Sequence, residues 1–217
     1  MTFSLGSTPR SLVKYNDQSI SAITEIAASA KDDMVLIKEL TASSDSTLEF
    51  VDGASDVDLD ATYPIYLFKF INIHPSADGA VFTFNLSIDS GSNYNVTKTS
   101  TFIEVYHNES DGGTPNIGYG SSHDLAQSTG FQRLTSNLGN DNDQSSSGEL
   151  WLYNPSSTTF VKHFMSNLNS VYLTDYTQQD MCAGYGNTTS AVDAVQFKFE
   201  SGNIDAGTFK LYGIKDS

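Results

Sequence analysis

Proton transfer in this chain would have to come from four histidines, His74, His107, His123 and His163, acting with some of the 26 acidic residues. No HExxH pairing sets two of them on one helix face, as a zinc hydrolase requires. There is no GxSxG elbow for a serine nucleophile and no glycine loop shaped for phosphate. His107 stands two residues before Glu109, and His123 adjoins Asp124. Either pair could exchange a proton, yet the adjacent residues His123 and Asp124 would point to opposite faces of a strand, and no supporting motif accompanies either pair. The chain is therefore read as non-enzymatic, and no cofactor is expected.

Metal binding has one pattern in its favour. Asp56, Asp58 and Asp60 alternate with Val57 and Leu59, so an extended backbone would put three carboxylates on one face as a calcium surface. A calcium-hand loop also needs glycine after the third acidic position and glutamate at the twelfth. Those positions hold Ala61 and Leu67. The preferred reading is a solvated acidic loop, and Asp141-Asn142-Asp143 is read the same way. The single cysteine, Cys182, excludes an intrachain disulfide and a cysteine-based metal site.

Sugar binding is the serious alternative. Such sites set aromatic faces beside amide and carboxylate side chains. Tyr119, Tyr172, Tyr176 and Tyr185 lie near polar loop residues and are the candidate glycan contacts. Aromatic residues in a β protein mostly fill the core or cover an interface, and that is the preferred reading of these scattered tyrosines.

The elements that would position these groups are strands. The 217 residues include 13 Phe and 11 Tyr, which suit pleated, half-buried surfaces. Tyr63 to Ile73 is apolar on both faces, as in a central strand. Val81 to Ile88 alternates, with Phe82, Phe84, Leu86 and Ile88 on one side. Ala194 to Phe199 places Val195, Phe197 and Phe199 inward. Further runs are predicted over 34–37, 46–51, 101–107, 149–153, 158–165, 181–185 and 207–214. Residues 108–148 read as a long polar loop at one end, with a short helical turn over Asp124 to Gln127. The pattern predicts an all-β fold, an antiparallel β-sandwich of about eight to ten strands, jelly-roll-like. Residues 1–33 show no clean period and are read as an N-terminal extended arm, ordered by a neighbouring subunit. Residues 34–217 are read as the sandwich domain.

A net charge of −15 repels phosphate backbones and anionic lipid, so neither nucleic acid nor membrane is an expected partner. No stretch approaches the roughly 20 apolar residues of a membrane span. The N-terminus lacks a basic region followed by an apolar run, so the expected site of synthesis is a cytoplasm.

Residues 68–75, 92–97, 126–131, 139–143, 183–191 and 202–215 carry a family resemblance, strongest at Asn154-Pro155-Ser156-Ser157-Thr158-Thr159-Phe160-Val161-Lys162-His163-Phe164. Over roughly residues 34 to 215 the chain resembles virion structural proteins of tailed phages of marine bacteria, cyanophages among them. The resemblance implies a particle component and brings no catalytic residues. It leads to three expectations, in order: a capsid decoration or cement protein, or a tail or fibre component, acting by adhesion between subunits; a receptor-binding module that grips glycan; and, last, a polysaccharide depolymerase. The expected partners are other copies of the chain, with a homotrimer favoured, and the major capsid or tail proteins of the same virion, assembled in the host cytoplasm.

Overall fold

The computed structural model describes residues 33–112 and 115–215; the expected arm over residues 1–33 falls almost entirely outside them. In chain order the strands are β1 (Met34–Asp45), β2 (Leu48–Val51), β3 (Ile65–Pro75), β4 (Phe82–Ser87), β5 (Lys98–Asn108), β6 (Asn116–Tyr119), β7 (Gln132–Arg133), β8 (Ser146–Tyr153), β9 (Lys162–Tyr172), β10 (Tyr176–Gly186), β11 (Ala194–Phe199) and β12 (Ile204–Ile214). They build two antiparallel sheets packed face to face. The larger has the order β1-β12-β3-β8-β9-β10-β5-β6, the smaller β2-β11-β4-β7.

Eight of these strands pair as nested hairpins: β1 with β12, β2 with β11, β3 with β8 and β4 with β7. Lateral pairing of β12 with β3, and of β11 with β4, joins the hairpins two by two. A long hairpin rolled up so that alternate stretches fall in facing sheets is a jelly roll. The remaining four strands are insertions. β5 and β6 come between β4 and β7, β9 and β10 between β8 and β11, and both pairs extend only the larger sheet.

The sandwich closes over phenylalanine. Phe50, Phe82 and Phe197 from the small sheet meet Phe68, Phe70 and Phe209 from the large one, all wholly or almost wholly buried. Their rings pack mainly edge to face, with centroids 5.1 Å apart for Phe70–Phe197, 5.2 Å for Phe70–Phe82 and 5.3 Å for Phe68–Phe197. Burying one such side chain is worth about 1.5–3 kcal/mol, and each favourable ring pair about 0.5–1.5 kcal/mol more.

The inserted half of the large sheet is covered differently. Residues 120–145, expected as part of a loop at one end, lie along its inner face instead. Leu134 and Leu138 enter the core, with Leu134 N–H donating to Phe82 O (2.8 Å) and Leu138 N–H to Ala80 O (2.9 Å). This stretch also holds β7, and β6 stands just before it; these two short strands take the total past the expected ten. Asp124 to Gln127 forms no helical turn. Ile88, expected inward with Leu86, is 42% exposed, because β4 ends at Ser87. There the Ser87 hydroxyl and the Asp89 carboxylate bond each other and neighbouring backbone N–H groups.

Candidate functional site

The inner face of the inserted half carries a polar pocket. Register sets Glu104 of β5 directly across from Asp180 of β10, Tyr106 across from Gln178, and Tyr176 of β10 across from Tyr172 of β9. Strand periodicity puts Glu104 and Tyr106 on the same face. With His123, Ser136, Asn137 and Thr174 from the covering segments, these residues enclose a cavity of about 450 Å³, a size typical of small-molecule sites. The tyrosines form one wall. Tyr106 and Tyr176 meet edge to face at 5.9 Å, and Tyr172 and Tyr176 at 6.0 Å.

The floor is a closed hydrogen-bond network. Asp180 is wholly buried. Its Oδ2 accepts the Ser136 N–H (2.7 Å), and its Oδ1 accepts the Ser136 hydroxyl (3.2 Å) and Gln178 Nε2 (3.0 Å). Gln178 Nε2 also donates to Ser136 Oγ at 2.6 Å. Burial pushes the Asp180 carboxyl up to about 6 and the Glu104 charge adds to the rise, while the bonds from Ser136 and Gln178 hold it down. Glu104 is the carboxylate on the cavity wall. Its Oε1 lies against His123 Nδ1, though His123 Nδ1 makes no aligned hydrogen bond. Gly120 makes room for that pair: a Cβ there would lie 2.8 Å from Glu104 Oε1 and 3.0 Å from His123 Nδ1.

Of the four predicted tyrosines, Tyr172 and Tyr176 line this pocket and two do not. Tyr119 lies on the outer face of the sheet, opposite Ile103, and donates its hydroxyl to Asp124 Oδ2 (2.6 Å). Tyr185 lies on that same outer face, further along β10, with its ring 6.2 Å from His163. The sequence carries a signal for Tyr106, because the 101–107 strand sets Phe102, Glu104 and Tyr106 on one face. The histidine neighbours also differ from the sequence pairs. His107 meets Asp111 (3.3 Å) and His123 meets Glu104.

Asp56 ends a turn and Asp58 and Asp60 follow in irregular chain, all three exposed, while Val57 and Leu59 between them are buried. Asp60 Oδ1 accepts the Thr62 N–H (2.7 Å), which lowers its pKa. Among the described residues, no three His, Cys, Asp or Glu side chains gather to hold a metal ion. Cys182 is buried, and burial pushes its thiol up to about 12.

The outer face of the large sheet carries a second feature. Leu36, Tyr212, Leu67, Trp151, Met165 and Ala183 fall opposite one another in a single row across β1, β12, β3, β8, β9 and β10. Leu67 is shielded by its neighbours, but Leu36 is 48% and Met165 53% exposed. Met34, 42% exposed, flanks the row on β1, and Ile71, also 42% exposed, lies beyond Lys69 on β3. A charged line runs beside the row, where Lys210 pairs with Glu39 at 3.0 Å and Glu149 accepts the Trp151 indole N–H at 2.9 Å.

Comparison with protein-family models, curated proteins and solved structures found no match to this chain.

Proposed function

We propose that the chain is a non-enzymatic structural part of a phage virion, decorating the capsid or built into a tail or fibre, and that it works by adhesion between subunits. The observation carrying this reading is the apolar row on the outer face of the large sheet. It spans six strands and exposes Leu36 and Met165 by about half. Contiguous exposed apolar surface rimmed by charge marks interaction sites. Among the described residues β1 is the edge strand at the end of the row, and its 12 residues offer a second copy side chains and a strand edge. The jelly roll and the resemblance at residues 154–164 support a repeated exterior part. The assembly expected under this reading is a closed ring of copies, a trimer being favoured by the threefold clusters of a virus lattice. The net charge of −15 makes copies repel, so association must be apolar and should tighten as salt screens the charge.

The test is the molar mass of the purified full chain by light scattering across a salt series, with binding to emptied particles measured in parallel. The expected result is a trimer strengthened by salt. Leu36→Asp combined with Met165→Asp should dissolve it while changing stability by only about 0.5 kcal/mol per site, as for exposed positions generally. A chain that stays monomeric at every salt concentration and ignores the particles would overturn the reading.

A further inference from the structure

We propose that the tyrosine-walled pocket between β5, β9, β10 and the 120–145 segment binds a neutral saccharide, a property separate from adhesion through the outer face. The lining supplies what a polyol needs. Tyr106, Tyr172 and Tyr176 bring apolar ring surface and phenolic hydroxyls to the lining, matching the mixed apolar and hydroxyl faces of a sugar ring. Asn137, Thr174, Gln178 and Glu104 add donors and acceptors to the lining. The floor is preorganised: Asp180, Ser136 and Gln178 hold one another through bonds of 2.6–3.2 Å, so little ordering cost falls on binding.

Charge selects among sugars. Glu104 lines the cavity and Asp180 lies behind its floor, so sialic, uronic and sulfated sugars meet negative potential in a negatively charged protein. The same two carboxylates argue against cleavage. A glycoside hydrolase needs both acids at the scissile bond, whereas Asp180 is shut away from the cavity with both oxygens already accepting hydrogen bonds.

The experiment applies the full chain to an array of neutral hexose and N-acetylhexosamine oligosaccharides printed beside sialylated, uronic and sulfated ones. Lactose, maltotriose, cellotriose and chitotriose are then titrated by NMR. Binding of at least one neutral saccharide is expected, weakened about tenfold or more by Tyr176→Ala, a loss of about 1.4 kcal/mol. Tyr176→Phe should retain most of the affinity, which separates loss of the ring from loss of the fold. Tyr119→Ala and Tyr185→Ala, which alter the outer face, should bind as the parent does. No response to any neutral saccharide, a preference for anionic glycans, or full affinity in Tyr176→Ala would each overturn the proposal. The Tyr176→Ala chain should keep the parent's oligomeric state, so failure here and failure of the adhesion reading give different results.

Discussion

The two halves of the large sheet solve the same burial problem with opposite chemistry. Where β1, β12, β3 and β8 face the small sheet, the interior is a cluster of phenylalanines. Where β9, β10 and β5 face the 120–145 segment, much of it is Ser100, Gln132, Ser136, Gln178 and Asp180, with Lys98 and Lys162 wholly buried as well. Nearly every polar group there has a named partner. Ser100 Oγ pairs with Gln132 Oε1 at 2.6 Å, Ser170 Oγ donates to Ser146 Oγ at 2.9 Å, and Lys162 Nζ reaches the carbonyls of Ser157 and Phe160 at 2.6 and 2.7 Å. Apolar transfer stabilises a fold in proportion to the area buried. Satisfied internal hydrogen bonds add little net, but they penalise any rearrangement that orphans them. The aromatic half therefore holds the molecule together, and the polar half fixes the shape of a pocket.

Phe197→Ala gives the largest expected effect. Phe197 contacts phenylalanines of both sheets, so its loss should cost about 3–5 kcal/mol in urea unfolding. A cost below about 1 kcal/mol would break the contrast. Asp180→Ala should cost less, about 2–3 kcal/mol, because the Ser136 N–H and the Gln178 amide are left without their acceptor. Faster hydrogen exchange should appear at Ser136 and its neighbours while β3 and β12 stay protected.

The pH dependence is the subtlest difference, and between about pH 4 and 9 its main contributions come from the polar half. Asp180 is raised to about 6, so the folded chain holds its proton where the unfolded chain has released it. Stability should therefore fall as pH rises from about 4 to 6, by no more than about 1.4 kcal/mol per pH unit, and Asp180→Asn should flatten that slope. Lys98 is lowered to about 7 by burial. Its folded form sheds a proton that the unfolded form keeps, so stability should rise with pH above 7. Cys182, raised to about 12, opposes that gain above about 9, where the unfolded thiol ionises. Burial lowers Lys162 as well, so Lys98→Met should reduce the rise without abolishing it, and Phe197→Ala should leave both slopes in place.

The same contrast explains which elements could be read from sequence. In the aromatic half the alternation was plain: Phe82, Phe84 and Leu86 mark β4, Val195, Phe197 and Phe199 mark β11, and β3 is central as its two apolar faces required. In the polar half the inward positions look like surface. β9 was expected to stop at Met165 but continues to Tyr172, because Ser166, Leu168 and Ser170 alternate inward. β10 was expected from Met181 but begins at Tyr176, since Gln178 and Asp180 face the interior. The covering segment was read as an end loop for the same reason. The pocket depended on register between β5 and β10, which no local pattern encodes, so Tyr172 and Tyr176 were found without Glu104, Tyr106 or Asp180.

Pairing of β1 with β12 also sets a timetable for the molecule's making. Met34 lies opposite Ile214, and translation at about 5–20 residues per second separates them by roughly ten to forty seconds. Contacts this distant in sequence make folding slow. Tyr212 stands on the last strand and completes the line between Leu36 and Leu67. That row exists only after the roll has closed; under the proposed adhesion, a nascent or truncated copy would lack the full contact and would not join its siblings prematurely.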